Sequence, residues 1–460
     1  MSNTRIDLKT GPINRHLVRL TIPMIWGIAA IVSFQLVDTY YVSLLGTTPL
    51  AAMTFTFPVT FFVFTIIMGF GIATSSVISR LIGEGREEDV KRVTTHGLAL
   101  VFVVGLALAI IGYLLRDVIF AAMGADENMR PLIHQYMTTW FIGVAFMATP
   151  FVGNSAIRAA GSTLSPALIM IFAAVFNAAL APLLVFGLWG FPRMELQGAA
   201  LATVISNILA MILGLYVLII KKKMILPLSR LHLDQFGDSC KRLLFIAIPA
   251  GLTSAVAPIV NTVIIGLLAA YGEEAVAAFG IATRIEAFGM IVLMALAIGM
   301  APIIGQNFGA RNFDRVHETL RKAIGFSILW CISFAAIMVL FAEKLASAFS
   351  QDAAVIYYAV LSFQIIAPTY MFHALVNGWS SAFNAMGKPQ MSVYMTVIKM
   401  ILLMVPAVIL GAQWGGVKGV FTAVAVVNVI TGLAFHFWSR NVCLSLENAS
   451  LQPAIALKTP

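Results

Sequence analysis

The chain has 460 residues and a formal net charge of +9; 60% of the residues are hydrophobic and only 11% charged. A soluble globular chain carries roughly 25% charged residues, so the composition excludes a soluble multi-domain enzyme, and the basic excess is read as loop charge on one side of a membrane rather than a nucleic-acid footprint. Cys240, Cys331 and Cys443 stand alone, giving neither a disulfide framework nor a metal-ligand spacing.

Apolar stretches fit to cross a bilayer, which takes ~20 residues as a helix, are read at 16–45, 51–80, 94–115, 131–155, 164–188, 196–220, 243–270, 276–307, 320–341, 354–383, 391–411 and 417–438. Only the short basic segment SNTRIDLKTGPINRH comes before the first, without the apolar core and small-residue cleavage site of a secretory signal. Turn and charge signals separate the stretches: GTTP at 46–49, GEGREEDVKR at 83–92, GADENMRP at 124–131, YGEE at 271–274 and GKPQ at 387–390. Lys and Arg collect in alternate loops, on the side of the N-terminus; the other side has Arg116, Arg130, Arg193 and Lys344. This asymmetry predicts that both termini are cytoplasmic.

The longest break, 221–242, divides the chain into halves that resemble each other. VDTYYVSLLG (37–46) answers VNTVIIGLLA (260–269), and SAIRAAGSTLSP (155–166) answers SAFNAMGKPQMS (381–392). Each half has an even number of spans, so the repeats share one topology, as in transporters whose halves are related by an axis along the membrane normal. The expected fold is all-α: twelve transmembrane helices in two pseudo-symmetric six-helix bundles around a central cavity. The expected domains are an N-terminal bundle at 1–220, a cytoplasmic linker at 221–242, a C-terminal bundle at 243–440 and a cytoplasmic tail at 441–460.

Polar residues within the spans mark the candidate site, because an ionisable group at membrane depth is costly and is functional by default. The first span carries Asp38, with Gln35 three residues before it on the same helix face. Asn154, Asn177 and Thr203 follow in spans four, five and six; the position answering Asp38 in the second half is Asn261, which cannot titrate. The second half offers Arg284, Glu286, Gln364 and His373, and Lys399, which is expected to snorkel to the interface. Pro23 lies one turn into the first apolar stretch, denies a hydrogen bond to the carbonyl of Arg19, and is the expected hinge. No HExxH or GxSxG motif lies in a span, so no intramembrane enzyme is expected.

With IPMI (22–25), VDTYYVSLLG, PLAAMTF (49–55), GIATSSVISRLIGEG (71–85), RAAGSTLSP (158–166), MELQGAALATVIS (194–206) and the GIATRIEAF and GMAPIIGQNFGARN segments (280–312), the chain resembles the multidrug and toxic compound extrusion (MATE) family over essentially its whole length. The acid in span one, and its absence at Asn261, is most similar to the prokaryotic DinF-like branch. The resemblance implies efflux of cationic or amphipathic drugs and dyes from the bacterial inner membrane, driven by H⁺ or Na⁺ without a bound cofactor. It also implies that Asp38, with Asn154, Asn177 and Thr203, forms the coupling site, and that Gln35, Asp38, Asn154 and Asn177 line the substrate cavity. The family's span-five pattern has a second acid where NAALAP (177–182) has Ala181; with that carboxylate missing, the expectation tilts to H⁺. A lipid-linked sugar flippase of similar architecture is the alternative, and a monomer is expected.

Overall fold

The computed structural model describes residues 7–127, 129–227 and 233–456. Arg5, Arg230 and Lys458, which contribute to the basic-side reading, lie outside the described residues. The chain divides into two compact units. The first comprises Met1–Leu8 and Val18–Gly251, the second Lys9–Leu17 and Leu252–Pro460.

In the first unit α1 (Ile13–Ser43, its first turn belonging to the second unit), α2 (Thr47–Gly83), α3 (Glu87–Ala122), α4 (Arg130–Ala159), α5 (Leu164–Phe186) and α6 (Glu195–Tyr216) follow one another. The connections are short and several turn through left-handed glycines, as at Gly46, Gly85 and Gly124. Helix α4 is the central post. Its apolar window is 78% buried, and it packs against α2, α3 and α6. By contrast, only 17% of the α3 window is buried, which leaves a lipid-facing helix hydrophobic all round.

The second unit contains most of α7 (Phe236–Ala269), then α8 (Glu273–Gly309), α9 (Phe313–Leu340), a short α10 (Ala342–Ser347), α11 (Ala353–Ile366), α12 (Tyr370–Ala385), α13 (Pro389–Thr396) and α14 (Val405–Ala456). Pro368 lies in a 3₁₀ turn, Ala367–Thr369, that joins α11 to α12 into one span. A π-helix, Val397–Met404, joins α13 to α14. Eleven helical stretches among the described residues are long and apolar enough to cross a membrane, the last being Pro389–Asn448 with 60 residues. Continuous, that stretch would run about 90 Å, three times the ~30 Å of a bilayer core. Gly416 breaks it with φ 55° and ψ −139°, a conformation that glycine adopts without cost. The break makes two spans of one and twelve in all. The two arms meet so closely that a Cβ on Gly419 would stand 1.9 Å from the carbonyl oxygen of Gly411. The Tyr271 hydroxyl donates to the carbonyl of Ala412 beside the turn.

The structure adds detail at three of the expected boundaries. Residues 9–17 pack with the second unit, where Arg315 donates to the carbonyls of Gly11 (3.0 Å) and Thr10 (3.3 Å) ahead of the first helical turn. Described residues on both sides of 228–232 in the 221–242 segment bond to α3: Leu226 N–H donates to Thr95 Oγ1 at 2.9 Å, His96 Nδ1 meets Ser239 Oγ at 2.9 Å, and Arg92 bonds Gln235. Helix α7 already begins at Phe236. The stretch expected as a tail after 440 continues α14 to Ala456, because nothing from 441 onward breaks the helix until Pro453, which the backbone also carries through.

Replacing Gly419 with Ala must push the two arms of the hairpin apart, an overpacking cost on the order of 1–3 kcal/mol. A Cβ at Gly415 meets nothing within 4 Å. The expected outcome is a clearly lower melting temperature for detergent-solubilised Gly419→Ala than for Gly415→Ala; equal values would contradict the close Gly411–Gly419 contact.

Candidate functional site

Helix α1 lies along α5 in the same direction. Thr163, before α5, donates to Arg19 O at 3.4 Å; Gly27 faces Ala167 and Met170; and Tyr41 donates to Ala178 O at 3.3 Å. This register brings Asp38, one turn before Tyr41, to the depth of Asn177, the residue before Ala178. Asp38 is 5% exposed, and its Oδ1 has no hydrogen-bond partner among the described residues. Asn177, 2% exposed, donates from Nδ2 to Thr203 Oγ1 on α6 at 3.3 Å, and Thr203 donates to the Ala199 carbonyl at 3.2 Å. The Asn177 Oδ1 is also without a partner. Asp38, Asn177 and Thr203 therefore form one layer across α1, α5 and α6, with two buried acceptor oxygens that a proton or a cation would satisfy.

Not every expected member joins this layer. Gly143 of α4 abuts Val204 of α6, so Gly143 marks the depth of Thr203 on α4. Asn154 is three turns further along α4, about 16 Å deeper. It is buried with Oδ1 unpartnered, but at a level where it cannot reach the carboxylate. Tyr136 of α4, 6% exposed, lies in the opposite direction along α4, two turns before Gly143 and one turn before Thr139. Nothing in a lone tyrosine in a long apolar span marked it in the sequence; only the pairing of Thr139 with Gln197 at 3.3 Å fixes its depth beside the start of α6. Gln35 shares the helix with Asp38, but its side chain is exposed.

Ala181, one turn beyond Asn177, is fully buried among Leu184, Ala202 and Tyr41. The position of the second acid is filled by apolar packing, and no group of three or more His, Cys, Asp or Glu side chains fit to hold a metal ion occurs among the described residues. The donors for a hard cation here are one carboxylate, one amide oxygen and one hydroxyl, fewer than the oxygen shells that hold such cations.

Pro23 does not interrupt α1, which is helical from Ile13 to Ser43. The Arg19 carbonyl that the proline leaves without its helical donor is the one that Thr163 reaches. Thr163 stands at the N-cap of α5 but makes no side-chain cap bond to its own helix. Its hydroxyl, on a residue 2% exposed, serves α1 instead.

In the second unit, Arg284, Gln364 and Asn261 are exposed and belong to no polar cluster. Glu286 of α8 accepts from the Tyr370 hydroxyl at 3.4 Å, and Lys399 Nζ is 3.0 Å from His373 Nδ1. Asn428 of α14 donates to Thr369 Oγ1 at 3.2 Å beside the same group. Lys399 does not snorkel: it is 2% exposed, because the π-helix that carries it aims it at α12 rather than along the lipid-facing surface.

The MatE family model matches residues 23–183 and 249–409, once in each unit. The chain is 37% identical over 439 residues to a protein of Shewanella oneidensis named "FAD transporter", covering 95% of this chain and 97% of that one. It is 28% identical to "Probable multidrug resistance protein YoeA" of Bacillus subtilis over 75% of this chain and 74% of that one. Its fold is similar to that of the Vibrio cholerae MATE transporter VcmN in the bent form, with TM-score 0.89, 28% identity, and 95% and 98% of the two chains covered. With a repeated family match across both units, twelve spans and a full-length likeness in sequence and fold, the chain belongs to the MatE family and is a MATE transporter, a multi-pass membrane protein and not an enzyme.

Proposed function

We propose that the protein is a proton-coupled exporter of organic solutes in a bacterial inner membrane, of the DinF-like branch, monomeric and with both termini cytoplasmic. The observation that carries this reading is the buried Asp38 carboxylate, unpartnered at Oδ1 and layered with Asn177 and Thr203, with Ala181 where a second acid would stand. A lone carboxylate binds one proton and needs no coordination shell, whereas Na⁺ needs more oxygens than the layer offers. Protonated, Asp38 donates a hydrogen bond; ionised, it only accepts. Its ties to α5 and α6 therefore differ between the two states, and that difference biases the unit between conformations. The transported compounds in this reading are amphipathic drugs and dyes. A second reading of the cargo is flavin dinucleotide, favoured by the Shewanella relative, whose match spans the chain at higher identity than the multidrug proteins. The flippase alternative would need several cations facing a phosphate head group; Arg284 is exposed and Lys399 is committed to His373.

In inverted membrane vesicles with an imposed pH gradient, Asp38→Asn should abolish transport of ethidium and FAD alike, at least a hundredfold below wild type, while expression and melting temperature stay near normal. Wild-type rates in the mutant would refute Asp38 coupling. FAD transported with ethidium ignored, or the reverse, decides the cargo. Wild-type transport should not respond to Na⁺ at fixed pH. Ala181→Asp sets a second carboxylate one turn from Asn177, and like charges at close range favour recruiting a cation; this variant should acquire Na⁺ dependence, and Na⁺-driven transport by wild type would overturn the proton assignment.

The Thr163–Arg19 bond exists because Pro23 leaves a carbonyl open, which predicts a coupled pair. Thr163→Val should destabilise the wild type by about 1 kcal/mol. In a Pro23→Ala background, where the helix supplies its own donor, the same change should cost distinctly less, a non-zero coupling in a double-mutant cycle. Pro23→Ala itself should bind ethidium normally and turn over slowly. Additive effects of the two changes would mean that Thr163 does not serve the freed carbonyl.

A further inference from the structure

The second unit contains a polar cluster that the Asp38 layer does not use. Lys399, 2% exposed, stands 3.0 Å from the Nδ1 of His373. No carboxylate lies within ion-pair distance of it among the described residues. An ammonium can only donate, so with Lys399 charged Nδ1 must present its lone pair; with His373 carrying the Nδ1 proton, the lysine must be the neutral amine. Either way one proton lies between two basic nitrogens. A second would place two positive charges 3.0 Å apart in a buried site, which desolvation and repulsion both oppose. The two nitrogens therefore titrate as a unit.

The surroundings suit a centre that gains and loses that proton. Glu286 of α8, held by the Tyr370 hydroxyl, lies within electrostatic reach of Lys399. Cys331 faces the same carboxylate from α9, and Asn428 faces the His373 ring from α14. Glu286 and His373 are half-buried while Lys399 is fully buried. Irregular backbone borders the cluster on both sides: the 3₁₀ turn Ala367–Thr369 leads into Tyr370 and His373, and the π-helix Val397–Met404 carries Lys399. Runs of π-helix are rare and concentrate at functional sites. An ion pair with a purely structural task would gain nothing from this geometry, in which the lysine is set against a base rather than against the nearby acid.

We propose that the C-terminal unit holds a second proton-binding centre, in which Lys399 and His373 share one proton beside Glu286, so that a transport cycle moves one proton more than Asp38 carries. The centre is chemically independent of Asp38, and the two can be separated. In weakly buffered detergent solution, with ethidium as the probe and a pH indicator as the readout, the wild type should release two protons per bound dye and Asp38→Asn one. Lys399→Arg keeps a cation for Glu286, but a guanidinium does not give up its proton; it should fold as the wild type does and release one. The double variant should release none. Lys399→Arg releasing as many protons as wild type, or Asp38→Asn releasing none, would overturn the proposal. Failure of Asp38 coupling would instead show as Asp38→Asn matching wild type. A measurement without ligand stands beside these: the pH profile of the melting temperature should differ between Asp38→Asn and Asp38→Asn/Lys399→Arg, because a group that titrates differently on folding makes stability pH-dependent. Superimposable profiles would also sink the second centre.

Discussion

Every polar atom carried into the bilayer core must find its partner inside the protein, and this single constraint shapes both units. Most of the chain meets it with backbone helix alone. Where a helical hydrogen bond is missing, a side chain from a neighbour closes the gap, as the Thr163 hydroxyl does for the Arg19 carbonyl and the Tyr271 hydroxyl for Ala412 beside the Gly416 turn. The exceptions are the informative atoms. Asp38 Oδ1 and Asn177 Oδ1 lie buried in one layer without partners, and an unmet acceptor at that depth costs on the order of 1–3 kcal/mol. A site that must change its protonation cannot be satisfied in both states by the same fixed neighbours. Under the proposed proton coupling, these unmet bonds are what the proton relieves.

The architecture was legible in the sequence because membrane helices announce themselves by length and apolarity. Spans, breaks and the repeat followed from runs of ~20 residues and from the turn residues between them. Asp38 stood out for the same reason: a carboxylate in an apolar run is costly at membrane depth and is functional by default. What the sequence could not supply was depth. Asn154, Asn177 and Thr203 read alike as polar residues in adjacent spans, yet only the last two share a level, because α4 runs past Gly143 for three more turns before it reaches Asn154. Tyr136, at the other end of that helix, looked like one more aromatic in an apolar run. Depth is fixed by how helices slide past each other, and small-residue contacts such as Gly143 against Val204 set that slide.

Direction was the second thing hidden. Arg284 and Glu286 stand two residues apart and read equally well as buried or interfacial; the structure turns Arg284 outward and Glu286 toward Tyr370. Lys399 was expected at the interface because a lysine's long stem usually lets its charge escape. The π-helix defeats that expectation. Its wider turn shifts the register of the residues that follow, and a sequence pattern with a period of 3.6 contains no sign of it.

The repeat gives these placements a common logic. Thr203 of span six answers Asn428 of span twelve, and span five with Asn177 answers span eleven with Lys399. Each unit thus has polar residues of its cluster on its fifth and sixth helices. What differs is the ionisable group added to that scaffold. The first unit adds an acid from its first helix; the second adds a lysine from its fifth and an acid from its second. A duplicated bundle conserves the helix arrangement that packing demands, while a single substitution at a buried position changes the charge the bundle must hold. Asn261 is exposed where Asp38 is buried, so the matching position of the second unit holds no buried polar group. A buried lysine in span eleven does need an acceptor, and His373, 3.0 Å away, provides one to the lysine carried by the π-helix.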